Sequence, residues 1–464
     1  MRAVDGPLAL VVRHPADGDP IPATGRDYVM GSTGSGRATV TVNADPVPVQ
    51  ANGSFLAYLP APRDGYVVRA RLGDESARVA IMFSTGITSA PPSASSAPVA
   101  GDVAIVTGGA AEIPARAEAT GDYSWSLLPG TRGTVTGVHE TLRQVRFAGG
   151  AAAWVDGQFV AASREAPRSF LASMPRVEAR AEETDLVIPA PEPLAYGVTE
   201  GDSDIAITVY GLRAAKSGEL AAAGYATRIS FDAPDSAALR VRLALRGPAY
   251  GYEVVWSRGA MVLRVRHPPP IDARRPLAGL AIVVDAGHPP GGAVGPTGIA
   301  EPEVTLDVAR RLATLLASRG ARVVMTRTDA GAVSLDRRVA MARASGAHAF
   351  VSIHADAVAS GADPSRDIGT AVFASRPHSM GLARAVSRAL VPQLGLPDRG
   401  VRAGDYAVVR LTWLPAILCE GATLTDPAQE AALADSTFRA AYASGVAKGI
   451  EAYFGDLLAS SHTR

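Results

Sequence analysis

The chain has 464 residues, which at roughly 100–200 residues per domain means three or four domains. Its 47% hydrophobic and 19% charged residues form an ordinary globular balance that excludes wholesale disorder. With 45 Lys+Arg against 45 Asp+Glu the formal charge is zero, which argues against nucleic acid or an anionic membrane surface as a partner, and the single cysteine, Cys419, excludes an intrachain disulfide or a Cys-based zinc finger.

The opening residues, Met1-Arg2-Ala3-Val4-Asp5-Gly6-Pro7, lack the basic segment and apolar core of a secretory signal. No stretch reaches the roughly 18 apolar residues of a membrane span. Before residue 85 the pattern is β. Thr39–Val42 alternates, and Val47 and Val49 lead into Asn52-Gly53, a hairpin signal, with Phe55, Ala57 and Leu59 alternating beyond it. Tyr66–Leu72 reads as a further strand. The pattern over 35–84 resembles a bacterial immunoglobulin-like sandwich module, giving a first domain at 1–86. Residues 85–100 are a Ser/Ala/Pro linker. Short Gly-rich strands follow, from Leu128–Gly137 through Gln144–Phe147 to Ala153–Val155, and resemble an SH3-like barrel at 101–165.

Residues 178–267 carry a diverged repeat. Pro193-Leu194-Ala195-Tyr196-Gly197 precedes the strand Ile205–Tyr210, and Gly247-Pro248-Ala249-Tyr250-Gly251 precedes Met261–Val265. This segment is similar to the β-sandwich targeting modules found ahead of cell-wall amidases. His267 with three prolines then marks a stiff break.

From 276 to 458 strands alternate with helices, which predicts an α/β domain with a mostly parallel central sheet. Leu280–Val284 is a buried strand and Glu303–Arg319 a helix, with Val304, Val308, Leu312, Leu315 and Leu316 at helical spacing. Further strands are expected at Arg322–Met325, Ala349–Ile353, Gly369–Ala374, Ala407–Arg410 and Ala416–Cys419. Helices are expected at Ser334–Ala344, Ser379–Leu390 and about 436–454. Asp426-Pro427 with Gln429 reads as a capping box.

Polar groups sit where open α/β sheets build sites, at the carboxyl ends of strands. His288 follows the first strand, His354 the third, and Glu420 the last; Glu301 precedes the first long helix. Two histidines and a carboxylate with an open fourth position make a hydrolytic zinc site, and a further carboxylate would serve as general base. Glu420, directly after an apolar strand, must be paired, hydrated or functional. His14, His139, His267, His348, His378 and His462 read as surface or structural residues, and Cys419 as a small buried apolar one.

Residues 279–455 resemble the zinc-dependent N-acetylmuramoyl-L-alanine amidases of peptidoglycan. The motifs are Asp285-Ala286-Gly287-His288, Gly298-Ile299-Ala300-Glu301-Pro302-Glu303-Val304-Thr305-Leu306, Ser352-Ile353-His354-Ala355-Asp356 and Pro415-Ala416-Ile417-Leu418-Cys419-Glu420. The resemblance implies that His288, Glu301 and His354 hold one Zn²⁺, that Glu420 is catalytic, and that the substrate is peptidoglycan or a muropeptide in wall remodelling or daughter-cell separation. Placement in the periplasm or cell wall follows, after removal of a signal preceding this numbering; action in the cytoplasm on recycled muropeptides is the alternative. An envelope partner for the front modules fits the same reading. A zinc peptidase acting on stem peptides and a non-catalytic wall-binding protein are the rival readings. Two departures stand out: Pro289-Pro290 where the family has glycines, and Gly421 where it has a bulky apolar residue. Some members carry a plugging helix after the third motif; Ala355–Ile368 is too short and too polar for one, which predicts a surface loop and an open site.

Overall fold

In the N-terminal segment the alternating residues pair into two antiparallel sheets. Val11–His14, Arg26–Ser32 and Ser54–Pro60 form one, and Asp45–Val47, Thr39–Val42, Tyr66–Leu72 and Glu75–Ile81 the other. Their inward residues, among them Val29, Val40, Phe55, Tyr66 and Val68, share one core. The Asn52-Gly53 turn is present, but its arms diverge. Val49 and Phe55 make one bridge, after which Ser54–Pro60 pairs with Arg26–Ser32 in the other sheet. The computed structural model describes residues 1–84, 98–109 and 111–462. Most of the expected linker, 85–97, lies outside these.

The described chain divides into two units. Met1–Thr88 falls with Ile271–Leu411 and Ala416–Leu458; the second unit comprises Ser89–Pro270, Thr412–Pro415 and Ala459–Arg464. In the second, Val103–Val106, Arg132–His139, Leu142–Phe147, Ala152–Asp156 and Val160–Ala162 make a five-stranded antiparallel sheet. Two sheets follow over residues 176–266 and enclose a common core. The two Ala-Tyr-Gly segments occupy equivalent crossings there. After each, the chain leaves one sheet and starts a hairpin in the other: Tyr196–Glu200 with Asp204–Tyr210, and Tyr252–Ser257 with Ala260–Arg266.

The C-terminal α/β domain runs β1 (Ala281–Ala286), α1 (Glu301–Ser318), β2 (Arg322–Met325), α2 (Leu335–Ala344), β3 (Ala349–Asp356), β4 (Thr370–Ala374), α3 (Met380–Leu394), β5 (Asp398–Ala403), β6 (Ala416–Thr423), α4 (Pro427–Ala434) and α5 (Ser436–His462). The six strands lie in the order β2-β1-β3-β6-β4-β5. β2, β1, β3 and β6 are parallel, as are β4 and β5, whereas β4 runs antiparallel to β6. The sheet is therefore mixed. β1, β4 and β6 are buried along their whole length, which explains their unbroken apolar runs. Helix α1 packs Val304, Val308, Leu312 and Leu316 inward.

Two expectations are corrected, and one strand went unpredicted. Ala407–Arg410 is not a strand: residues 407–409 form a turn in which Val408 and Val409 are buried, so the apolar signal is core filling without pairing. The strand in that region is β5, at the sheet edge, whose polar sequence hid it. Asp426 caps α4 by accepting from Ala428 N and Gln429 N, but Gln429 does not complete a capping box; its side-chain oxygen accepts from Thr423 N at 2.8 Å.

Beneath the end of β1 lies a buried charge network. Asp285 accepts from Thr326 Oγ1 at 2.5 Å, Ser352 Oγ at 2.6 Å and the Arg338 guanidinium. Arg338 also donates to the carbonyls of Ala286, His288 and Pro289, and Arg327 to those of Ala286, Gly287 and Pro302. Two buried arginines thus satisfy the backbone that presents His288. Arg338→Met leaves Asp285 buried without its cation and is expected to destabilise the fold by about 3–5 kcal/mol. Adding Asp285→Asn should cost less than the sum of the two single changes, as read by a urea-denaturation double-mutant cycle.

Candidate metal centre

The parallel register places the site. Asp285 on β1 lies opposite Ser352 on β3, and His354 on β3 is the direct partner of Glu420 on β6. His288 leaves β1 two residues past its end, in a left-handed conformation with φ of 53°. Glu301 is the first residue of α1, one step further into the helix than its sequence suggests, and is only 4% exposed. Glu303 points to solvent.

His288, Glu301 and His354 converge: one ligating atom of each lies within 4.8 Å of those of the other two. His288 Nε2 is 3.3 Å from Glu301 Oε2, and His354 Nδ1 is 3.0 Å from Glu301 Oε1. The carboxylate also accepts from Ala293 N at 2.9 Å and Ala355 N at 3.2 Å. Burial by itself would raise the Glu301 carboxyl, but the His354 bond and charge, the Ala293 amide and the His288 charge outweigh it and hold the group below its usual value. His288 Nδ1 lies 2.9 Å from the Pro290 carbonyl, which can only accept. Nδ1 therefore carries the proton, and Nε2 keeps its lone pair for the centre.

Glu420 is the other buried acid, 7% exposed. Its Oε2 has no hydrogen-bond partner. Burial pushes its carboxyl well above the ordinary range; the charges of Asp356 and Glu301 push the same way, and Arg399 opposes them. Asp356, at the end of β3, is ion-paired to Arg399, which also binds Asp367 at 3.0 Å. A buried acid with a free oxygen beside a cluster of imidazoles can move protons.

Residues 282–452 match the N-acetylmuramoyl-L-alanine amidase family, Amidase_3. The chain is 30% identical over 188 residues to YqiI of Bacillus subtilis, covering 40% of this chain and 90% of YqiI. The chain belongs to this amidase family. It is also 31% identical over 183 residues to the N-acetylmuramoyl-L-alanine amidase LytC of B. subtilis, a match covering 39% of this chain and 37% of LytC. Among solved structures, the catalytic domain of CwlV, an N-acetylmuramoyl-L-alanine amidase from Bacillus (Paenibacillus) polymyxa, is 35% identical. That match spans 38% of this chain and 97% of the domain, with a TM-score of 0.35. The chain thus spans little more than a third of LytC's length.

The amidase domain brings together all four residues singled out by motif. Sequence reasoning missed the groups that hold them. Tyr442, buried in α5, donates towards the carbonyls of His354 (3.0 Å) and Cys419 (2.6 Å), tying β3 to β6 at the site. Glu430 on α4 accepts from Thr297 N, Thr297 Oγ1 and Ile299 N, fixing the loop that leads into Glu301. A polar group among the alanines of α5 was the one available signal for Tyr442. Cys419 is buried, with its thiol pushed up by burial and by Glu420, so it is no nucleophile.

Tyr442 also accounts for Gly421. A Cβ there would lie 2.2 Å from the tyrosine ring, so the ring fills the place of the bulky residue. Gly421→Val should cost about 1–3 kcal/mol by overpacking. Combined with Tyr442→Ala it should cost less than the two changes separately, measured by thermal denaturation. For the metal centre, Glu301→Ala and His354→Ala should purify without zinc while Glu303→Ala retains it, as measured by plasma mass spectrometry. Retention in Glu301→Ala with loss in Glu303→Ala would reverse the assignment.

Proposed function

We propose that the protein is a zinc-dependent N-acetylmuramoyl-L-alanine amidase that hydrolyses the amide joining the lactyl group of N-acetylmuramic acid to L-alanine. The observation that carries this reading is the buried Glu420 carboxylate, with one oxygen unpartnered, on the strand position paired with His354. Family membership and the convergence of His288, Glu301 and His354 support it. Two imidazoles and one carboxylate suit Zn²⁺; an oxygen-only set would suit Ca²⁺ or Mg²⁺. His288, Glu301 and His354 would hold the ion, and when bound it supplies Lewis acidity towards the scissile carbonyl.

Glu420 then has two tasks. It accepts a proton from the attacking water as the new C–O bond forms, and it returns that proton to the alanine nitrogen as the C–N bond breaks. The products are the lactyl carboxylic acid and a free peptide amine. Its raised proton affinity suits both transfers, because a carboxyl of ordinary pKa would hold a proton too weakly near neutral pH. Tyr442 and Glu430 keep the groups in register by holding the backbone on either side.

The segments 1–86, 101–165 and 178–267 act in this reading as β modules ahead of the catalytic domain at 276–458. Immunoglobulin-like and SH3-like types are assigned to the first two, and wall targeting to the third. Such modules raise local substrate concentration and can engage an envelope partner. The setting is the cell wall or periplasm, in remodelling or daughter-cell separation. Among the described residues no helix is long and apolar enough to cross a membrane.

Glu420→Gln should keep its zinc and its melting temperature yet lower kcat on soluble muropeptide by roughly 10²–10⁴. Mass spectrometry of wild-type products should show intact stem peptide with a free alanine amine and peptide-free glycan. Cleavage within the stem peptide would establish a peptidase in place of an amidase.

A further inference from the structure

The loop after β3 does not lie free on the surface. Its tip, Gly361, is buried against the N-terminal sheet that contains Asp27, Tyr28 and Tyr58. Gly361 N donates to Asp27 Oδ1 at 2.9 Å, and its carbonyl accepts from Tyr58 OH and Thr24 Oγ1, each at 3.1 Å. Ser360 Oγ donates to Asp27 Oδ2 at 3.2 Å, and Tyr28 OH to the Val358 carbonyl at 2.7 Å. A Cβ on Gly361 would meet Pro22 at 2.8 Å and Thr24 at 2.9 Å, and its φ of 80° favours glycine. Every polar group of this residue is therefore held by a segment more than 300 positions away in sequence.

Asp27 is built for the task. It is 1% exposed and also accepts from Tyr28 N at 2.9 Å, and it pairs with His14 Nε2 at 3.0 Å. The His14 ring stacks on Tyr28 at 4.0 Å, which fixes both. Burial by itself would raise the Asp27 carboxyl, but the bonds from His14 and Gly361 hold it below the usual range. A buried carboxylate bonded to a backbone amide is a stiff link.

The grip passes to the catalytic strands through short steps. Val358 N donates to Thr425 Oγ1 at 3.0 Å, just past β6. Leu424 N donates to the Asp356 carbonyl at 2.7 Å, and Ala355 N to Glu301. Asp356 is two residues from His354, and its charge acts on Glu420. The same module contacts the catalytic domain elsewhere: Arg13 lies against Gly298, on the loop leading to Glu301, and Ser54–Pro60 packs on α4.

We propose that Asp27 is a positioning residue of the amidase site: by holding Ser360 and Gly361 it sets the end of β3, so that the N-terminal β module is an integral part of the catalytic unit and not only a targeting domain. The inference rests on the amidase reading for its effect on turnover, and on geometry alone for its effect on the loop.

The test uses the full chain with Asp27→Ala, Asp27→Asn and Val68→Ala. Val68 is fully buried in the same module core but lies in the sheet that does not hold Asp27, Tyr28 and Tyr58, so Val68→Ala supplies a destabilised control. In hydrogen–deuterium exchange, Asp27→Ala should speed exchange at Val358–Gly361 and also at Ala355 and Leu424, about tenfold beyond Val68→Ala. On soluble muropeptide it should lower kcat by about 10- to 100-fold with KM little changed. Asp27→Asn, which keeps an acceptor for Gly361 N, should recover most of that loss. Faster exchange confined to Val358–Gly361, or kcat equal to that of Val68→Ala, would overturn the proposal. A wild-type protein that exchanges as expected but releases no peptide would instead sink the amidase reading, and the exchange at Ala355 and Leu424 would still decide the positioning role.

Discussion

Four acidic groups crowd the carboxyl end of one buried sheet, and that crowding governs the rest of the domain. Asp285, Glu301, Asp356 and Glu420 lie on adjacent parallel strands or at the first residue of the helix that follows β1. Taking a carboxylate out of water is costly unless a partner restores what water gave. Three of the four have such partners. Asp285 has Arg338 and two hydroxyls, Asp356 has Arg399, and Glu301 has two imidazoles. Glu420 keeps one oxygen with no partner. This uneven compensation separates three acids fixed by their partners from Glu420, whose second buried oxygen has none among the described residues.

Holding such a cluster requires support from well outside it. Arg327 and Arg338 take up the carbonyls around Gly287 and His288, Tyr442 bridges β3 and β6, and Glu430 fixes the approach to Glu301. Each is a polar side chain that takes up backbone groups at the site, those of irregular loops for Arg327, Arg338 and Glu430 and those of two strands for Tyr442. The N-terminal module belongs to the same scheme. Its Asp27 and Tyr58 do for the loop after β3 what Glu430 does for the loop before α1. Polar support of this kind sets geometry to a fraction of an ångström, a tolerance that catalysis requires.

The four site residues were legible in sequence because each follows or precedes a strongly patterned element. An apolar run that ends in His or Glu marks a strand end, and parallel α/β topology gathers such ends. The supporting groups were not legible, because their partners are distant. Nothing near Gly361 in sequence indicates Asp27, and the Gly- and Pro-containing stretch around it reads locally as solvent-facing. The same limit explains β5, whose edge position tolerates Arg and Gly, and Val408-Val409, whose burial needs no strand. Gln429 likewise had a local reading as a cap and found a better acceptor role with Thr423 N. Local pattern reports burial and period; it does not report which of two available partners a polar group takes.

The two departures from the family motifs follow from the same accounting of backbone groups. Pro289 and Pro290 bring no N–H, but this segment uses only its carbonyls. Pro289 O accepts from Val333 N and Arg338, and Pro290 O accepts from His288 Nδ1. The missing donors have no task there, and the proline carbonyl sets the tautomer that leaves Nε2 facing Glu301. At the other wall, Gly421 gives up a side chain to the Tyr442 ring, and that ring's hydroxyl then reaches the carbonyls of His354 and Cys419. A bulky residue at 421 would fill the space with apolar atoms alone; the tyrosine fills it and also ties together the strands bearing His354 and Glu420. Both departures therefore preserve the orientation of the polar groups, which is the feature that chemistry at this site depends on.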